Sequence, residues 1–170
     1  MKLKLTSEIR QDVFQQVSKF IGDAGLKITK VDSTRPWGGF LVLDEDQAAE
    51  FTRHFLPDEK LADLYIGNKL SPKILLVQPH KRLSWQYHHR RAEIWRVIGG
   101  EVGVVTSMDD SQGAVVVLRA GDTIRLAQGQ RHRLVGLEGW GILAEIWQHT
   151  DPSNPSDEED IVRVEDDFGR

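Results

Sequence analysis

The spacing of apolar residues changes character partway along the chain. In residues 7–22, SEIRQDVFQQVSKFIG, the side chains of Ile9, Val13, Phe14, Val17, Phe20 and Ile21 recur every three or four positions. This predicts an amphipathic helix with Thr6 or Ser7 as N-cap and an end near Gly22. Residues 26–44, LKITKVDSTRPWGGFLVLD, read as two extended pieces broken at Pro36 and the Gly38-Gly39 pair. Residues 45–55, EDQAAEFTRHF, predict a short second helix stopped by Pro57. From Lys73 onward the runs are short and apolar or alternating: KILLVQ, RLSWQYH, EIWRVIGG, EVGVVTS, GAVVVLRA, DTIRLA, HRLVGL and GILAEIWQ, with turn signals such as MDDSQG and AGD between them. Such a succession of short strands predicts an all-β antiparallel barrel or jelly roll with N-terminal helical additions.

The 170 residues suit one domain, with residues 1–34 as an N-terminal helix and connecting strand and residues 35–170 as the barrel and its tail. With 22 Lys+Arg against 26 Asp+Glu, the net charge of -4 offers no footprint for nucleic acid. The absence of cysteine excludes disulfides, thiolate metal sites and a cysteine nucleophile. No long apolar run suggests a signal peptide or a membrane span, so a soluble cytoplasmic protein without membrane partners is expected. Composition alone reads the last stretch, DPSNPSDEEDIVRVEDDFGR, as a solvated acidic tail.

The chemistry concentrates in SWQYHHRRAEIWRVIGG, residues 84–100. Alternation along a strand puts Gln86 and His88 on one face and Tyr87 and His89 on the other. A turn through HRR returns Glu93 to the same pocket, and the Gly99-Gly100 pair ends the hairpin. A second hairpin, AGDTIRLAQGQRHRL, carries His132 just after a Gln-Gly turn. Gln86, His88, Glu93 and His132 make a nitrogen and oxygen ligand set for a borderline divalent ion such as zinc, with open positions of the kind a catalytic metal needs. Any one histidine by itself is more simply a core or surface residue. His54, His80, His89 and His149 are read that way.

The joint pattern resembles the cupin signature, G-x5-H-x-H-x3-4-E-x6-G followed by G-x5-P-x-G-x2-H. Gln86, His88, Glu93 and Gly100 fit the first motif, while Gly121, Ala127, Gly129 and His132 fit the second. Gln86 stands where most cupins have His, and Ala127 where they have Pro. Gln in the first ligand position, within LSWQYHHRRAEIW, resembles the phosphomannose isomerases and the isomerase domain of their bifunctional bacterial branch. RPWGGFLVLDE at 35–45 and EEDIVRVEDDFGR at 158–170 are similar to that branch as well. A matched ending favours a docked tail lining the barrel mouth over a solvated one. The guanylyltransferase domain of the bifunctional enzymes is not expected.

The resemblance implies a cupin double-stranded β-helix and a metal-dependent isomerase of a phosphosugar, mannose 6-phosphate to fructose 6-phosphate, with zinc on Gln86, His88, Glu93 and His132. It also implies Glu145, in ILAEIWQ, as the proton shuttle. Arg91 becomes an electrostatic partner for oxygen or phosphate, and Arg163, in DIVRVED, a phosphate ligand. Tryptophans 85, 95, 140 and 147 could form a sugar platform but in an all-β barrel are more often core or interface residues, so no role is assigned to them, and Asp109 and Asp110 are read as turn chemistry. Two alternatives stay open. One is a non-catalytic cupin that binds a sugar phosphate or related ligand, and the other an iron oxygenase in the same cage. Residues 1–34 either cap the barrel or form a homodimer contact, with edge-strand pairing between barrels as a further route to a dimer.

Overall fold

A computed structural model describes residues 2–170. Three helices, α1 (Arg10–Asp23), α2 (Ala48–Phe55) and α3 (Leu61–Leu64), accompany strands β1 (Ile28–Arg35), β2 (Gly38–Leu43), β3 (Leu70–Val77), β4 (Trp85–Tyr87), β5 (Arg91–Gly99) and β6 (Glu101–Ser107). The remaining strands are β7 (Val116–Arg119), β8 (Thr123–Leu126), β9 (Arg131–Gly136), β10 (Gly141–His149) and β11 (Val162–Glu165). They form two antiparallel sheets, ordered β1-β2-β3-β10-β5-β8 and β11-β4-β9-β6-β7. All eight runs read as strands from Lys73 onward are strands. The tail contributes a further one, β11, which pairs with β4.

Alternation in the central strands explains how one sheet serves two cores. On β10, Ile142, Ala144 and Ile146 join the cluster that packs under the helices, and Leu143 belongs to the cluster between the sheets. On β3, Ile74 and Leu76 face the helices while Leu75 and Val77 face the other sheet. With both faces covered, β3 and β10 are buried from end to end, which is why KILLV reads as an unbroken apolar run.

Helix α1 covers the outer face of the six-stranded sheet. Its buried residues Val13, Phe14, Val17 and Ile21 each contribute roughly 1.5–3 kcal/mol of burial. Arg10 fastens its first turn, donating to the Ser33 and Gly38 carbonyls at 2.9 and 2.7 Å and to Gln78 at 2.6 Å. The cap differs from the expectation. The helix starts at Arg10 behind Ile9, and Ser7 lies too far upstream to cap it. The Ser7 hydroxyl instead accepts from the Ile9 amide and donates to Asp12, a local turn that competes with helix. Of the two roles open to the N-terminal segment, α1 caps the sheet. No helix among the described residues is long and apolar enough to cross a membrane.

Turn geometry delivers two of the site's segments. Gly100 joins β5 to β6 at φ +66°, where a Cβ would lie 2.2 Å from the Trp140 carbonyl oxygen. Gly129, at φ +78° between β8 and β9, donates its amide to the His88 carbonyl at 3.0 Å. That bond ties the loop before His132 to the segment carrying His88.

Candidate metal centre

Register across the sheets builds the site. In the five-stranded sheet Arg163, Gln86 and His132 are successive cross-strand partners. In the six-stranded sheet Lys73, Glu145 and Trp95 form one row, and Ser71, Trp147 and Glu93 the next. Directly opposed residues share a face. The interior therefore carries a belt of polar groups above the apolar row of Phe40, Leu75, Leu143 and Val97.

His88, Glu93 and His132 converge, with ligand atoms all within 4.8 Å of one another and each residue about 2 % exposed. His88 Nδ1 donates to the Asp160 carbonyl at 2.7 Å, and His132 Nδ1 to the Gln130 carbonyl at 3.0 Å. Each bond places the ring proton on Nδ1, so both Nε2 atoms present lone pairs, 3.3 Å apart. Burial presses the His88 pKa down to about 3 and that of His132 down as well, against the pull of Glu93, so neither ring carries charge at neutral pH. Burial pushes the Glu93 carboxyl up, but the Arg91 charge and the two imidazoles hold it well below the usual carboxylate range. Two converging lone pairs beside a carboxylate are a donor set that fits a divalent cation.

Gln86 lies beside the triad with its amide nitrogen 3.4 Å from His88 Nε2, while its oxygen accepts from Ser84 at 2.6 Å. A half-turn of the amide presents the oxygen to a cation, and the Ser84 hydroxyl then accepts in place of donating.

Arg91 is buried, in contrast to a solvated bend residue. Its Nε donates to Glu93 at 2.8 Å, its Nη1 to the Ser156 hydroxyl and Asp157 carbonyl at 2.8 and 3.0 Å, and its Nη2 lies 3.3 Å from His88 Nε2. The guanidinium also lies over the Trp147 ring, 3.6 Å from its centroid. Glu145 is equally buried and holds the Trp95 and Trp147 indole N–H groups, each at 2.7 Å. Burial, aided by the Glu93 charge, pushes its carboxyl up to about 8.

Sequence reasoning missed several members of this group. Trp95 and Trp147 had no role from sequence; both are buried, their N–H groups hold Glu145, and Trp95 donates to Glu93 at 3.0 Å. Lys73 had no role, but its ammonium sits 3.9 Å from the Trp147 ring centroid and 4.7 Å from that of Phe40, paired with Glu158. The available signal was a lysine at an inward position of an otherwise apolar strand. Arg163 lines the same cavity as Lys73, Arg91, Glu93 and Glu145, a space of about 80 Å³ closed on one side by tail residues Glu158 and Ile161.

The tail also supports the triad. Asp160 accepts from the His89 and Arg90 amides at 2.9 and 3.0 Å and from Ser156 at 2.6 Å, and its carbonyl holds His88. Replacing Asp160 with alanine keeps the carbonyl that holds His88 but unpairs the His89 and Arg90 amides that fix this segment, so affinity for a divalent cation is expected to fall about 10- to 100-fold. A chelator-competition titration measures it; unchanged affinity would remove the Asp160 side chain from any role in orienting His88.

A second buried pair has a different meaning. The Ser71 hydroxyl lies 2.7 Å from His149 Nε2, but the Ser156 amide donates to Nδ1 at 2.9 Å. The ring proton is thus on Nε2 and points at Ser71, whose own proton goes to Glu45 at 2.9 Å. This tautomer cannot take a proton from the hydroxyl at Nε2, so His149 is a core histidine and the pair is no serine nucleophile.

Residues 45–166 match the mannose-6-phosphate isomerase C-terminal family. The chain belongs to that family. Among curated relatives it is 30 % identical over 116 residues to mannose-1-phosphate guanylyltransferase ManC of Salmonella typhimurium, covering 68 % of this chain and 22 % of the relative. It is 29 % identical over 136 residues to xanthan biosynthesis protein XanB of Xanthomonas campestris, covering 80 % of this chain and 23 % of the relative. The chain thus spans less than a quarter of the length of these relatives. Vicilin of hazelnut, Corylus avellana, superposes with a TM-score of 0.54 at 14 % identity, over 84 % of this chain and 36 % of that one. That likeness concerns the fold alone. The two antiparallel sheets form the cupin double-stranded β-helix that the sequence resemblance implied.

Proposed function

We propose that this isomerase-family cupin is a divalent-metal-dependent aldose-ketose isomerase of a phosphosugar, interconverting mannose 6-phosphate and fructose 6-phosphate through an enediolate. The observation that carries the reading is the convergence of His88, Glu93 and His132, with Glu93 lining one cavity together with Gln86, Arg91 and the buried Glu145. Gln86, His88, Glu93 and His132 hold the metal, and their borderline donor set favours zinc. When bound there, the ion stabilises negative charge on the substrate's carbonyl and adjacent hydroxyl oxygens.

The chain's own groups do the rest. Glu145 moves the proton between the two carbons. Its oxygens are held from the protein side by Trp95 and Trp147, so a proton on the carboxyl is delivered toward the cavity. Arg91 is both an anchor for Glu93 and a source of positive charge. Among the described residues its Nη2 has only the His88 nitrogen as a partner, and would be free for a substrate oxygen if that lone pair were given to a cation. The tail and the apolar rim of Trp37, Phe40 and Leu83 exclude water from the cavity.

The test is proton NMR of mannose 6-phosphate in deuterated buffer with zinc-loaded protein. The expected result is appearance of fructose 6-phosphate, with deuterium entering at the exchanged carbon if the shuttled proton exchanges with solvent before return. Substrate signals that shift or broaden without conversion would replace this reading with a sugar-phosphate-binding cupin that performs no chemistry.

A further inference from the structure

We propose that β7, at the edge of the five-stranded sheet, is an interaction surface for a second copy of this chain. Two β7 strands pair antiparallel about a twofold axis and join the two five-stranded sheets into one. The sheets have four edges, β1 and β8 on one and β11 and β7 on the other. Free backbone N–H and C=O groups make any edge a template for another strand, and three of these four are guarded. β1 carries Lys30 and Asp32 and has two register irregularities against β2. β11 carries Arg163 and Glu165 and is irregular against β4 between them. On β8, Arg125 is paired with Glu59 from the segment between α2 and α3. β7 has none of these devices. Its register against β6 is unbroken, and residues 111–118, SQGAVVVL, carry no charge.

The side chains on this edge lack cover on both faces of the sheet. Val116 is the cross-strand partner of Val104, so both point between the sheets, yet Val104 is 1 % exposed and Val116 56 %. The apolar interior is therefore open beside β7. On the outer face Val115 packs against Gly103, where a Cβ would lie 2.7 Å from the valine Cγ1, and both Val115 and Val117 remain exposed. An occupant that covers this edge must supply backbone partners and apolar side chains on both of its own faces. β7 itself is such a strand.

Charge selects the register and the second copy as occupant. With the twofold at Val116, Val115 of one copy opposes Val117 of the other, and Arg119 opposes Gly113, close to the Asp109-Asp110 tip of the hairpin between β6 and β7. Arg119 and that tip share the outer face. Arg119 alternates with Leu118, whose partner Val102 is in the core, and Asp110 pairs with Arg131, the neighbour of inward-pointing His132. Arg119 engages Glu101 through Nε, leaving its other N–H groups for the second copy. Asp109 accepts from the Ser107 hydroxyl and the Ser111 amide and makes no ion pair among the described residues. Unlike charges thus meet at both ends of the paired strands, while the two Arg119 groups stand roughly 20 Å apart along them. A twofold contact uses the same patch on both copies, so assembly closes at a dimer.

Sedimentation velocity of the full chain across micromolar concentrations is the test. The wild type is expected to pass from monomer to dimer. Val117→Lys sets two like charges diagonally across the axis and should raise the dissociation constant about 10-fold or more. Val117→Thr, still β-branched and uncharged, should keep the dimer. Val31→Lys, at an exposed position on the β1 edge, should leave it unchanged. Thermal unfolding of each variant at a concentration where it is monomeric reports that the fold is intact. Because the chain has no cysteine, Val116→Cys reports the register directly: mild oxidation should yield a disulfide-linked dimer, and Val31→Cys should yield none. A wild type that stays monomeric throughout, or a dimer that Val117→Lys leaves as tight as before, overturns the proposal. So does a dimer that Val31→Lys dissolves, which would move the interface to β1.

Discussion

Replacing Glu93 with alanine is expected to abolish stoichiometric zinc binding and to destabilise the metal-free protein by about 3–5 kcal/mol. Both effects follow from one carboxylate. Its oxygens lie 3.3 Å from His88 Nε2 and 3.7 Å from His132 Nε2, supplying the negative charge a divalent ion needs beside two neutral imidazoles. The same carboxylate neutralises the buried guanidinium of Arg91 at 2.8 Å and accepts from Trp95. Alanine leaves that charge without a carboxylate partner, which accounts for the stability loss even without metal. Glu93→Gln separates the two roles, since an amide oxygen can still accept from Arg91 while the charge is gone. Metal stoichiometry and denaturant unfolding with and without zinc make the measurements. A Glu93→Ala protein that binds zinc as wild type does would show that the cation binds elsewhere.

Glu145→Gln is expected to lower kcat for mannose 6-phosphate by about 10²- to 10⁴-fold while zinc still binds. The loss is that of a group able to hold and release the shuttled proton. An amide also places its NH2 against one of the two indole N–H groups that the carboxylate satisfied, a clash of donors worth about 1–3 kcal/mol of stability. A variant with wild-type kcat would shift the proton-transfer role to another residue. The pH dependence of the metal-free protein gives a second readout. Glu145 titrates near 4.5 unfolded and about 8 folded, so the folded state holds the extra proton and stability falls as pH rises across that window. His88 works oppositely. With 6.5 unfolded and about 3 folded, the unfolded state holds the extra proton, and stability falls as pH drops from 6.5 to 3. The two oppose each other between 4.5 and 6.5; below that interval His88 acts together with His132 and His149, whose pKa values are lowered the same way, and above it the glutamate dominates. Thermal unfolding should show a maximum in that interval, and Glu145→Gln should flatten the slope above it. An unchanged alkaline slope in the variant would mean that Glu145 titrates normally in the fold.

Much of the fold was legible because local periodicity reflects how many faces of an element are covered. Every third or fourth residue of α1 is apolar because one face packs on the sheet, and β3 is apolar from Ile74 to Val77 because both of its faces are buried there. The ligand set was legible for a related reason. Gln86 and His88 lie two apart at the end of β4, and a short turn leads into β5 and Glu93, although β4 and β5 pair in different sheets and not as the expected hairpin. Spacing within a strand or across a tight turn determines which side chains share a face.

The remainder of the site was settled only by contacts between distant segments. His88 is oriented by Asp160, 72 residues away, and Arg91 is pinned by Ser156, 65 residues away. Lys73 enters the cavity because its strand lies opposite Glu145, and Trp95 and Trp147 become the holders of that glutamate by the same register. Nothing in the local pattern around Trp95 or Trp147 reports these neighbours. The sequence by itself determined the all-β class, the strand-forming runs and the convergence of His88, Glu93 and His132, because strand geometry is a property of neighbours in the chain. Tertiary structure decided which side chains surround that centre and what charge they carry. Sheet register, tail docking and desolvation arise only when segments far apart in sequence pack together.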